Sequence, residues 1–151
     1  MNKFEKYCLN IAGEYSVCAE LAKRNLIPNI TLGNYKSVDI VVNDPMHDKS
    51  ALIEVKCTNK KRFVTGFFQK FKSEESKGPD FWILVDVSNI NETRFFVFTH
   101  LEIARAQMMR NGMESWSQVI GGVDNLPLVD ILEFENQWQK ITNYFSEPED
   151  S

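Results

Sequence analysis

Val38-Asp39-Ile40-Val41-Val42 and Ala51-Leu52-Ile53-Glu54-Val55-Lys56-Cys57 are the two runs on which the fold of this chain turns. Both are dominated by aliphatic, largely β-branched residues, and Asn43-Asp44-Pro45 between them is turn chemistry, so they predict two strands joined in a hairpin. Upstream, Ile30-Thr31-Leu32 and a Gly33-Asn34 turn add a further strand, making residues 30–57 an antiparallel meander. Alternate residues of a strand face opposite ways, which puts Glu54 and Lys56 on one face and Ile53 and Val55 on the other.

Working outward, Phe4, Tyr7, Cys8, Ile11, Tyr15, Cys18, Leu21 and Ala22 recur at spacings of three and four, which predicts an amphipathic helix to about Asn25 with that stripe buried. Pro28 closes it. Beyond the hairpin, Phe63-Val64-Thr65 reads as an extension of the preceding strand, and Phe67, Phe68 and Phe71 suit a short helix before Gly78-Pro79. Phe81 to Val87 is a buried strand, and Arg94 to Phe98, after the loop Ser88 to Glu92, is its partner. Thr99-His100-Leu101-Glu102 is a capping box that opens a helix from about His100 to Arg110. A last helix is expected within Leu128 to Tyr144, with Leu132, Glu135, Trp138 and Ile141 on successive turns. The order α, β, β, β, α, β, β, α, α is that of an α/β domain in which helices flank a mixed sheet.

The chain has 151 residues, 43% apolar and 12% aromatic, which suffices for one core and leaves no room for a second catalytic domain. Residues 1–146 read as a single domain and 147–151 as an acidic tail. Cys8, Cys18 and Cys57 form no CxxC pair and are odd in number, so they are expected as buried thiols of a reducing compartment, not as a disulfide framework or zinc finger. Glu5 and Glu14 interrupt any signal-peptide core, and no apolar run approaches the ~20 residues that cross a bilayer. A cytoplasmic protein without a membrane partner is the expectation. The phosphate cradles of NTPases and dinucleotide enzymes and the nucleophile elbow of α/β-hydrolases are missing from the sequence.

Charge on the strands is where the chemistry shows. Burying a carboxylate or an ammonium costs several kcal/mol unless it is paired or bound to a metal, so Glu54 and Lys56 on an otherwise apolar strand need a reason. An edge-strand ion pair is one. Asp39 supplies another, because it interrupts the strand expected to pair with 51–57 and a hairpin could bring it beside Glu54 on the same face. Two adjacent carboxylates repel unless a divalent cation lies between them, and hard oxygen ligands with positions left for water and phosphate suit Mg²⁺. The alternative for Asp39 is a strand-end residue capping a turn. Glu14, next to Gly13, lies on or beside the apolar stripe of the first helix, where a glycine suggests close packing on the sheet; the alternative is a solvated glutamate.

Gly13-Glu14, a helix ending near Leu26, Asp39 in one strand and Glu54-Val55-Lys56 in the next together resemble the PD-(D/E)XK nuclease superfamily, particularly its small restriction-endonuclease-like and Holliday-junction-resolvase-like members. The resemblance covers residues 4–87, and Val38 stands where the proline of the motif would be. It implies a restriction-endonuclease-like α-β-β-β-α-β core with a C-terminal helical extension, and Mg²⁺-dependent hydrolysis of DNA phosphodiesters, with Mn²⁺ as an alternative ion. Asp39, Glu54, Glu14 and the Val55 carbonyl would serve the metal. Lys56 would position or deprotonate the attacking water and offset charge on phosphorus. A homodimer is the expectation if both strands of a duplex are cut.

The formal net charge of −4 speaks against a nucleic-acid partner until it is divided by segment. Residues 56–77 hold seven Lys or Arg against two Glu, a net +5, which leaves −9 for the rest. Lys60, Lys61, Arg62, Lys70 and Lys72 are the expected DNA-binding residues, with Phe63, Phe67, Phe68 and Phe71 as stacking platforms for unpaired bases; a solvated basic face is the alternative. His47 reads as part of a polar turn, His100 as the first turn of a capped helix, and Trp82, Trp116 and Trp138 as core.

Overall fold

A computed structural model describes residues 1–31, 38–71, 77–115 and 122–147. The Gly33-Asn34 turn, Lys72, Trp116 and all but the first residue of the acidic tail lie outside the described residues. The meander forms as β1 (Ile27–Ile30), β2 (Ile40–Asp44) and β3 (Lys49–Thr58), paired antiparallel in that order. β1 begins before the expected Ile30 and includes Pro28. That is tolerated because β1 is the sheet's edge, where one row of backbone groups needs no partner.

After β3 the chain leaves the sheet. β4 (Arg62–Val64) does not extend β3; it pairs antiparallel with β7 (Asn125–Pro127) in a separate two-stranded ribbon. The single-turn helix α2 (Phe67–Lys70) follows, and β5 (Phe81–Asn89) returns parallel to β3. Asp80 fixes the start of that parallel pairing: its Oδ2 accepts the Leu52 N–H and its own N–H donates to the Leu52 carbonyl, both at 2.8 Å. β6 (Glu92–Thr99) completes a mixed sheet of order β1-β2-β3-β5-β6. The expected capping box opens α3 (His100–Arg110), with Thr99 and Glu102 exchanging backbone and side-chain bonds.

Helices cover both faces. On one, Ile53, Val55, Ile83 and Val97 meet Val17 and Leu21 of α1 (Lys3–Lys23) and Trp138, Ile141 and Phe145 from the C-terminal segment. On the other, Trp82, Leu84, Phe96 and Phe98 meet Phe63, Phe67, Ile103 and Leu126. Trp82 and Trp138 are core, as expected.

Three expectations are corrected. Most of the expected stripe of α1 is not in the core: Phe4, Tyr7 and Tyr15 are 72%, 64% and 62% exposed, while Leu21 is buried and Cys18 packs against the core. The buried face is Gly13, Val17 and Leu21, because the absent side chain at Gly13 is what lets the helix approach β3; a Cβ there would lie 2.7 Å from Cys57 Cβ. The cysteines are not all buried, Cys8 being exposed and Cys18 and Cys57 half-buried. The final helix starts later than the periodicity suggests, as α4 (Gln139–Ser146), preceded by 3-10 turns at Leu128–Asp130 and Leu132–Phe134. Its expected second turn is interrupted because Glu135 is drawn to Arg94 in a two-pronged ion pair (2.7 and 3.0 Å) and Asn136 adopts a left-handed φ of 56°.

Candidate functional site

β2 begins at Ile40, opposite Ile53, and Asp39 immediately precedes it, outside the paired register. Asp39 sits at a bend where its N–H donates to the Ile53 carbonyl (3.1 Å) and its carbonyl accepts from the Thr31 N–H (3.0 Å), tying the three strands together. Beyond this point β2 and β3 diverge. The Val55 N–H that a longer β2 would have satisfied is taken by the Asp39 carboxylate, Oδ2 accepting at 2.8 Å.

Glu54 alternates with Ile53 and Val55, so it points away from the α1 face and toward α2. It is 5% exposed, and a carboxylate so buried requires compensation. Two cations provide it: Lys56 Nζ at 3.2 Å and Lys70 Nζ at 3.3 Å, both on Oε1. Lys56 arrives from two residues along the same strand. Lys70 arrives from the end of α2, whose approach is set by Gly66 in a left-handed conformation and by Asp124 Oδ1, which accepts the Phe68 N–H at 2.9 Å.

These groups line one open cleft of about 770 Å³. Glu14 comes from α1, held near the sheet by the Gly13 contact; Asp39, Glu54, Val55 and Lys56 form the floor; Lys60, Arg62 and Lys70 stand on the basic side. Lys61 is not among the lining residues. It has a left-handed φ of 58°, and its carbonyl accepts the Leu128 N–H. Among the described residues, no three His, Cys, Asp or Glu side chains converge as a metal-binding group. Next to the floor, burial and the neighbouring Asp86 carboxylate push the Cys57 thiol up to about 12.

The aromatic platforms expected beside the basic residues are absent. Phe63 and Phe67 are fully buried and Phe68 and Phe71 pack against the same core, because the α2 segment must cover Trp82 and Phe96. His47 closes its own turn on Asp44 (2.6 Å), where that hydrogen bond, with help from the Met46 N–H, holds the Asp44 carboxyl below its ordinary range. His100 lies among Phe67, Phe71 and Trp82 and accepts the indole N–H of Trp82 at 3.1 Å. Sequence reasoning missed the contact of Lys70 with Glu54 and the contribution of Lys6, Asn10 and Gln69 to the cleft wall. The basic run carried a signal for Lys70, but its position depends on the β4–β7 ribbon, whose strands lie far apart in sequence.

A comparison of the chain with protein-family models, curated proteins and solved structures gives no match.

Proposed function

We propose that this chain is a metal-dependent nuclease that hydrolyses DNA phosphodiester bonds by a PD-(D/E)XK mechanism. The observation that carries the reading is that Asp39, whose carboxylate accepts the Val55 N–H, and Glu54 line one cleft together with Glu14, Lys56, Lys60, Arg62 and Lys70. The succession α1, β1, β2, β3, β4, α2, β5, in which β4 stands outside the five-stranded sheet and β5 runs parallel to β3, supports the restriction-endonuclease-like core that the sequence resembles.

The donor set fits a hard divalent cation. Asp39 and Glu54 offer carboxylate oxygens, and Mg²⁺ is commonly held by one or two carboxylates, with water and substrate phosphate filling its other positions. Bound there, Mg²⁺ would polarise a phosphoryl oxygen and lower the pKa of water. Val55 fixes the Asp39 carboxylate through its N–H, so that ligand is pre-oriented. Glu14 orients water from the α1 side. Lys56 exchanges its contact with Glu54 for the scissile phosphate, where its ammonium orients the attacking water and offsets the developing charge. Lys60, Arg62 and Lys70 hold the flanking backbone phosphates.

A second reading, a catalytically inactive nuclease fold that binds nucleic acid or a protein, draws on the pairing of Glu54 with two ammonium groups, which neutralises the buried carboxylate without a metal. One experiment separates them. Supercoiled, linear, single-stranded and branched DNA are incubated with the protein and Mg²⁺ or Mn²⁺. Cleavage that disappears in Asp39→Ala and Lys56→Ala supports the nuclease. Equal background from wild type and variants, with retained binding in a gel-shift assay, supports the inactive module.

A further inference from the structure

Glu54 Oε1 carries two ammonium groups, Lys56 Nζ at 3.2 Å and Lys70 Nζ at 3.3 Å. One carboxylate cannot balance both, so the trio holds positive charge in excess, and the two like charges that share the oxygen repel each other. The lysines differ in how easily they can leave. Lys56 rises from β3 at the floor of the cleft, and its side chain is 27% exposed. Lys70 ends α2, and its side chain is 51% exposed. The backbone beneath Lys70 is held, because its N–H donates to the Gly66 carbonyl, Phe67 is in the core and Phe71 packs against that core. Swinging Lys70 off Glu54 therefore moves one solvated side chain and no part of the fold.

A divalent cation on Glu54 would meet the Lys70 ammonium at the same oxygen, so the two compete for the carboxylate. Lys70 has a second place to go. It shares its bank of the cleft with Lys60 and Arg62, the side on which the proposed function seats the flanking phosphates. We infer that Lys70 is exchanged between Glu54 and a DNA phosphate, so that arrival of the substrate backbone frees Glu54 for the metal. This exchange rests on the nuclease reading and adds to it that metal and DNA bind cooperatively through one side chain. Linkage makes the effect reciprocal: DNA raises the affinity for the metal by the same factor by which the metal raises the affinity for DNA.

Lys70→Met keeps the apolar stem and removes the charge. Mn²⁺ binding to the DNA-free protein is read from the paramagnetic resonance of the free ion, and the site in question is the binding that Asp39→Asn removes. Lys70→Met should bind Mn²⁺ about fivefold or more tightly than wild type. Lys70→Arg restores the contact, and Lys61→Met removes the same charge from a residue that does not line the cleft. Both should stay within about twofold of wild type. In EDTA the direction should reverse. Fluorescence anisotropy with a labelled DNA duplex and its single strand should show weaker binding by Lys70→Met, with a salt slope shallower by about one. A lysine with a merely structural role would not shift the two affinities in opposite directions. Equal Mn²⁺ affinity in wild type and Lys70→Met, a tightening shared by Lys61→Met, or DNA binding that Lys70→Met leaves unchanged overturns the exchange and leaves the metal site standing. Absence of Asp39-dependent Mn²⁺ binding from both wild type and Lys70→Met overturns the exchange and the nuclease reading together.

Discussion

The Asp39 carboxylate accepts the backbone N–H of Val55 at 2.8 Å, so the first acidic residue of the cleft is fastened to the strand that carries the second. The bond lies just before β2 begins, alongside the part of β3 that β2 does not pair, and it substitutes a side-chain oxygen for a missing backbone carbonyl.

Asp39 therefore has two separable roles. Asp39→Ala leaves the Val55 N–H without its acceptor and is expected to cost about 1–3 kcal/mol. Asp39→Asn keeps an acceptor oxygen, so its thermal midpoint should stay near wild type while Mg²⁺-dependent DNA cleavage falls about 100-fold or more. Parallel melting curves and nuclease assays check this. An Asn variant as unstable as the Ala variant would argue against the structural role.

Gly13 and Cys57 are in contact distance through a side chain that is not there. Gly13→Ala would place a methyl 2.7 Å from Cys57 Cβ, an atom that can move only with the β3 backbone to which it is bonded, and should destabilise by about 1–3 kcal/mol in urea denaturation. Cys57→Ala retains the Cβ and should not rescue it. Cys57→Gly should recover part of the loss in a double-mutant cycle, and equal additivity of both pairs would refute the contact.

The two lysines on Glu54 should part company. Lys70 is half exposed, so Lys70→Met should cost only about 0–1 kcal/mol of stability and act mainly on DNA affinity, with a shallower dependence on salt. Lys56→Met should reduce the cleavage rate under saturating DNA about 100-fold or more. Binding isotherms over a salt series, with single-turnover cleavage, distinguish the outcomes.

Arg94 holds the Glu135 carboxyl below its ordinary range, chiefly through their hydrogen bonds. A carboxylate depressed on folding stabilises the native state above its unfolded pKa, and that contribution disappears as pH falls through the folded value. Glu135→Gln should therefore lower the thermal midpoint at pH 7, and the gap to wild type should narrow progressively as pH drops below about 4.3, the ordinary glutamate value. A gap that widens in acid would contradict the ion pair.

Local signals were the legible part of this sequence. The meander, the capping box at Thr99 and the strand carrying Trp82 announce themselves within a few residues. Glu54 and Lys56 share a face by alternation alone, and Gly13 was readable as a close approach. Partners chosen by tertiary packing were not. Periodicity finds a stripe on α1 but cannot say whether the core or solvent receives it, and here Gly13 settled that against the aromatics. Phe63, Phe67 and Phe71 sit in a basic run that resembles a binding surface, yet the β4–β7 ribbon folds them over Trp82. Glu135 continues a helical pattern that Arg94, 41 residues earlier, breaks.

The position of α4 has a consequence for biosynthesis. Trp138, Ile141 and Phe145 occupy the same core layer as Val17 and Leu21, which leave the ribosome long before them. Until α4 emerges, the sheet face beneath α1 keeps exposed apolar surface, so a nascent or prematurely terminated chain is a target for chaperones and proteases before its cleft is firmly built. Because this part of the core lies more than a hundred residues after α1, the floor of the cleft is not fully supported until residues 138–145 have been made.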